Sequence, residues 1–91
     1  LAVSRQAGEP GLELYLVFYS THHLLRAEKA LRGANLVCRL VPIPRQITSD
    51  CGMAVSFAEE DLERVQILLD RLGVAHSGIY RIGPEGVEKL R

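Results

Sequence analysis

The apolar positions of this chain fall into six stretches whose spacing switches between strand and helix. Leu12 to Tyr19 has no breaker, and its two sides, Leu14/Leu16/Phe18 and Tyr15/Val17/Tyr19, are both apolar, as in a central strand covered on two faces. Ser20-Thr21 then supplies an N-cap for a helix from about His22 to Leu31, with Leu24, Ala27 and Leu31 on one side and Gly33 or Asn35 as its stop. Leu36 to Val41 reads as a second strand, closed by Pro42 and Pro44, which cannot donate to a ladder. Gly52 to Phe57 returns to period two, setting Met53, Val55 and Phe57 against the small Ala54 and Ser56. Glu59-Glu60-Asp61 places acid at the start of a second helix, whose stripe is Leu62/Val65/Leu69/Leu72 and whose end carries Arg71 and Gly73. Val74 to Ile82 forms a fourth strand interrupted by Gly78, and Gly83-Pro84-Glu85-Gly86 breaks before a short polar tail.

The order β-α-β-β-α-β predicts an α+β fold, the ferredoxin-like split β-α-β sandwich, with a four-stranded antiparallel sheet and two helices on one face. The expected division is a flexible leader over 1–11, the domain over 12–82 and a tail over 83–91. In this topology the first and third strands are antiparallel neighbours at the centre. The end of the first strand, the start of the first helix and the start of the third strand therefore meet at one sheet edge, which His76 and Ser77 should also reach. No helix covers the outer side of the first strand, so a homodimer through the open sheet face is the simplest expectation.

Composition narrows the function. With 11 basic and 11 acidic residues interspersed over 91, the chain has no basic stripe, which argues against nucleic acid or an anionic membrane as partner. No apolar run approaches the roughly 20 residues of a spanning helix, and a soluble, cytoplasmic protein is expected. Two cysteines make neither a disulfide scaffold nor a Cys-x-x-C pair, so reduced thiols are expected.

The candidate chemistry sits in Arg45-Gln46-Ile47-Thr48-Ser49-Asp50-Cys51-Gly52-Met53, where a prolyl turn ends and a strand begins. Cys51 has a polar approach, a flanking glycine and a helix N-terminus within reach, all of which favour an exposed, reactive thiolate, while Asp50 opposes it. If the strand runs back through Gly52, Cys51 shares the face of Met53, Val55 and Phe57 and looks toward the helix. His22 or His23 would manage its proton, and adjacent helix residues project about 100° apart, so only one can face it. Arg45 would hold an anionic donor. Cys38, in mid-strand, reads as a small buried hydrophobe. With Ile43 opposite Cys51, Cys38 lies opposite Ser56, roughly 16 Å along the strand from Cys51, too far for a disulfide. No metal site and no cofactor are expected: the Cys-x-x-C of heavy-metal ferredoxin-like domains is replaced after the first strand by Ser20-Thr21-His22-His23.

Tyr15-Leu16-Val17-Phe18-Tyr19-Ser20-Thr21-His22-His23, Ala27-Glu28-Lys29, Arg39-Leu40-Val41-Pro42-Ile43-Pro44-Arg45, Ser49-Asp50-Cys51-Gly52 and Gly78-Ile79-Tyr80-Arg81 resemble the bacterial family once catalogued as the domain of unknown function DUF3343 and labelled selenium/sulfur (Se/S) carrier protein-like. The match spans roughly Leu14 to Ile82; Cys38 and Ala58 depart from the family's pattern. The resemblance implies that Cys51 is the carrier thiol and holds sulfur or selenium as a persulfide or selenosulfide. Donor and acceptor proteins are then its partners. Ser20, Thr21, Arg45, Ser49, Asp50 and Gly52 would line the site, with His22 for proton management. The competing readings are a ferredoxin-like regulatory or interaction module that binds a ligand at this edge without thiol chemistry, and a peroxidatic or reductase thiol enzyme.

Overall fold

The computed structural model describes residues 14–47, 52–83 and 86–91. The strands are β1 (Leu14–Val17), β2 (Cys38–Pro42), β3 (Met53–Phe57), β4 (Gly78–Gly83) and β5 (Gly86–Lys89); the helices are α1 (Thr21–Gly33) and α2 (Leu62–Leu72). One 3₁₀ turn, Glu59–Asp61, leads into α2. The strands form one antiparallel sheet in the order β2-β3-β1-β4-β5. Its first four strands follow the predicted order. The four-stranded expectation is corrected by β5, which Gly86–Lys89 forms where a polar tail was expected, and whose Glu88 pairs with Arg81 at 2.8 Å. The leader expected over 1–11 lies outside the described residues.

Local chemistry explains the helix ends. Ser20 is extended (φ −146°, ψ 157°) and its Oγ accepts from the His23 N–H at 3.3 Å, a side-chain N-cap. At the other end of α1, Asn35 adopts φ 63°, Asn35 N–H donates to Arg32 and Leu36 N–H to Leu31. This is a Schellman closure, and Leu36 and Leu31 share one core cluster. Gly73 (φ 67°) closes α2 in the left-handed conformation that was expected of it.

Both helices pack on one face. Leu24, Ala27 and Leu31 of α1 and Val65 and Leu69 of α2 share a core with Leu14, Leu16, Val55, Phe57 and Ile79 of the sheet. The side chains at 0% exposure there include Leu16, Val55, Phe57 and Val65, so the central strands are anchored at their midpoints.

The opposite face is not the open surface that was expected. Tyr15 and Val17 are 5% and 0% exposed, and they cluster with Val41, Ala54 and Ile47. Ile47 comes from the prolyl turn, closed by its N–H on the Pro44 carbonyl at 3.0 Å. The exposure on which the homodimer rested is therefore absent from β1.

Candidate functional site

The ladders fix which segments share an edge. Val17 pairs with Ala54 of β3 and with Gly78 of β4, and Pro42 of β2 pairs with Met53. The end of β1, the N-terminus of α1, the start of β3 and the start of β4 thus converge, as the split β-α-β topology requires. The Ser77 N–H donates to the Val17 carbonyl at 2.7 Å, which brings the approach to β4 onto the same edge.

Of the predicted site residues, Ser20, Thr21, His22, Arg45 and Gly52 are described, and all lie at or beside this edge. Ser49, Asp50 and Cys51 lie outside the described residues. Thr21, His22 and Arg45 are exposed, Arg45 in the turn that follows β2. His22 and His23 tilt against each other with ring centroids 6.0 Å apart. His23 is half-buried, and its Nδ1 is buried without a hydrogen-bond partner. Sequence gave no reason to prefer it over His22, because the difference arises from which side of the first turn meets the sheet. Tyr19, 63% exposed beside the cap, is a second feature that the apolar pattern hid, since it was read as a strand residue.

Gly52, the covalent neighbour of Cys51, is exposed with φ 82°. Its carbonyl accepts from the Ile43 N–H at 3.0 Å. One correction follows. Ile43 stands opposite Gly52 rather than Cys51, so Cys38 pairs with Phe57 and not with Ser56. Gly52 itself departs from extended geometry just before Met53, and the face expected for Cys51 lies outside the described residues.

Three electrostatic features stand out. The first turn of α1 has no acidic residue, so the positive end of its dipole is not offset there. Away from the edge, burial pushes the Cys38 thiol above its ordinary value, only partly opposed by the charge of Arg32. Cys38 is 8% exposed and unpaired, which fits the small buried hydrophobe expected. At the start of β4, His76 is pushed down by burial, with the charge of Asp70 raising it and that of Lys89 lowering it; its Nδ1 is buried without a partner.

The geometry defines an α+β domain with a five-stranded antiparallel sheet that gathers polar and imidazole groups around one helix N-terminus. No helix among the described residues is long and apolar enough to cross a membrane. Residues 13–81 match the model of the family described as "Putative Se/S carrier protein-like", and the chain belongs to that family. No curated protein and no solved structure gives a significant match.

Proposed function

We propose that the protein is a non-enzymatic chalcogen carrier that holds sulfur or selenium on Cys51. The observation that supports this most is the family match over the segment containing Cys51, whose neighbour Gly52 lies at the edge bearing the α1 N-terminus. In the sulfur case the Cys51 thiolate attacks the terminal sulfur of a donor persulfide. A Cys51–S–S− bond forms, the donor's S–S bond breaks, and the donor leaves as thiolate. The acceptor's thiolate then attacks the terminal sulfur and Cys51 departs as thiolate, so no net oxidation occurs. A selenosulfide transfers selenium by the same exchange.

In this reading the uncompensated dipole of α1 stabilises the Cys51 thiolate and the terminal anion. Ser20, Thr21, Ser49 and Gly52 line the site, Arg45 attracts anionic donors, and Asp50 restrains the thiolate until a donor engages. His22, exposed at the first turn, exchanges the proton with solvent. Donor and acceptor proteins are the partners, no cofactor enters, and the reduced cytoplasm suits the free thiols.

The test is intact mass and peptide mapping after incubation of reduced protein with a persulfide donor. A thiol-releasable gain of about 32 Da, one sulfur atom, confined to Cys51 and absent from Cys51→Ser but kept by Cys38→Ser, is expected. No adduct, or equal labelling of both cysteines, would overturn the carrier reading and favour an interaction module working without thiol chemistry.

A further inference from the structure

The helix α2 carries a second ordered side beside its core stripe. Val65 and Leu69 are buried against the sheet, whereas Arg64, Ile67, Leu68 and Arg71 stand at i, i+3, i+4 and i+7 and share another face. That face meets the end of α1, where Ala34 is the C-cap and Leu36 follows the Schellman closure. These six residues line a cavity of about 200 Å³. Ala34 is too short to fill it, so the gap between the helices stays open.

The cavity has an apolar floor and a basic rim. Leu36 is 6% exposed, and Leu68 packs against the core beside it. Ile67 is 49% exposed in mid-helix, which leaves a large aliphatic side chain in water next to the hollow. Arg64 and Arg71 are both exposed, two turns apart and roughly 10 Å along the helix axis. Arg64 reaches Asp61 only at 3.4 Å with its side chain 61% exposed, and Arg71 forms no ion pair among the described residues. No acidic residue lines the cavity among the described residues, so its positive charge is not offset from within.

Size and charge together select the occupant. Pockets that enclose a whole small molecule run roughly 300–1,000 Å³, whereas about 150 Å³ suffices for a single benzene ring. A space of about 200 Å³ therefore suits one large side chain rather than a complete cofactor. We propose that this cavity docks an acidic segment of a partner protein, seating one leucine-like side chain on Leu36, Ile67 and Leu68 while the flanking carboxylates meet Arg64 and Arg71. The apolar anchor supplies the affinity, and the charged rim discriminates against basic or neutral segments. Under the carrier reading the partner is a donor or acceptor protein. The docking itself uses no thiol, so it stands or falls separately from that reading.

The experiment is a titration of protein carrying 13C-labelled Ile and Leu methyl groups with capped pentapeptides at fixed ionic strength. The first peptide has leucine between two pairs of glutamates, the second has alanine at its centre, and the third has lysines in place of the glutamates. Saturable shifts of the Leu36, Ile67 and Leu68 methyls are expected with the first. The alanine centre should weaken binding about tenfold, and the lysine flanks at least as much. Arg71→Met should weaken the first peptide about two- to fivefold, the range of an exposed ion pair, and Arg71→Lys should restore most of it. Arg26→Met, exposed on α1 and outside the cavity, should change nothing. Cys51→Ser should bind as the unsubstituted protein does, so a failure of sulfur transfer and a failure of docking are read apart. The proposal is overturned if the first peptide gives no saturable shift at these methyls, or if the alanine-centred or lysine-flanked peptide binds equally well.

Discussion

Replacing Ser20 by alanine removes the one side-chain cap seen on α1. The hydroxyl accepts from the His23 N–H at 3.3 Å, longer than the usual 2.9–3.0 Å, and the site is part-buried. N-cap deletions cost roughly 0.5–2 kcal/mol, and the long bond points to the middle or lower part of that range, about 1 kcal/mol. At about 2.1 cal/mol/K per residue, a 91-residue chain has an unfolding entropy near 0.19 kcal/mol/K, so the melting temperature should fall by about 5 °C. Thermal unfolding by circular dichroism measures this. Two further variants separate capping from mere side-chain loss: Ser20→Gly should cost only a few tenths of a kcal/mol, and Ser20→Asp should keep the stability. Because the first turn has no acid, Ser20→Asp also adds the only negative charge there, and it should slow persulfide uptake while leaving the melting temperature unchanged. An alanine variant that melts within about 1 °C of the unsubstituted protein would refute the cap argument, as would a glycine variant as unstable as alanine.

Gly52→Ala should destabilise the fold by about 1–2 kcal/mol, read from urea midpoints, because φ 82° disfavours any Cβ while open space around the position adds no clash. For Cys38 the pH dependence is fixed in sign. Burial raises the folded pKa above the ordinary 9.0, so its contribution to stability is complete below that value and is lost as pH rises from there through the folded pKa. Cys38→Val, similar in volume, should remove that part of the alkaline loss in urea titrations run between pH 8 and 10.5; an unchanged alkaline slope would contradict the buried-thiol account.

What could be read in the residues was mostly what local pattern dictates. The Leu24/Ala27/Leu31 stripe of α1 is buried as the spacing required, and in α2 Val65 and Leu69 are buried with Leu62 and Leu72 packed beside them. The convergence of Ser20, Gly52 and Ser77 on one edge followed from element order alone. Other features depended on tertiary contacts that carry no local signature. Gly86-Val87-Glu88-Lys89 has a single apolar residue, and its strand is held by the ladder to β4 and by Arg81. Val74 to Ser77 reads as strand but pairs only from Gly78, while Val74 is buried in the core without joining the sheet. The hairpin register slipped by one because the left-handed turn at Gly52 cannot be inferred from a glycine that also suits a strand start. The outer-face cluster includes Ile47, a loop residue with no periodic context to announce it.

The central place of β1 bears on how the chain is made. Val17 is synthesised 36 positions before Met53 and 61 before Gly78, the starts of the two strands that flank β1. At about 5–20 residues per second, an emerging strand apolar on both faces waits roughly 2–7 s for its first sheet neighbour. During that interval only α1, whose contacts are local, can shelter it. A ribosome-bound nascent chain ending before β3 is thus the form of this protein with most need of a chaperone.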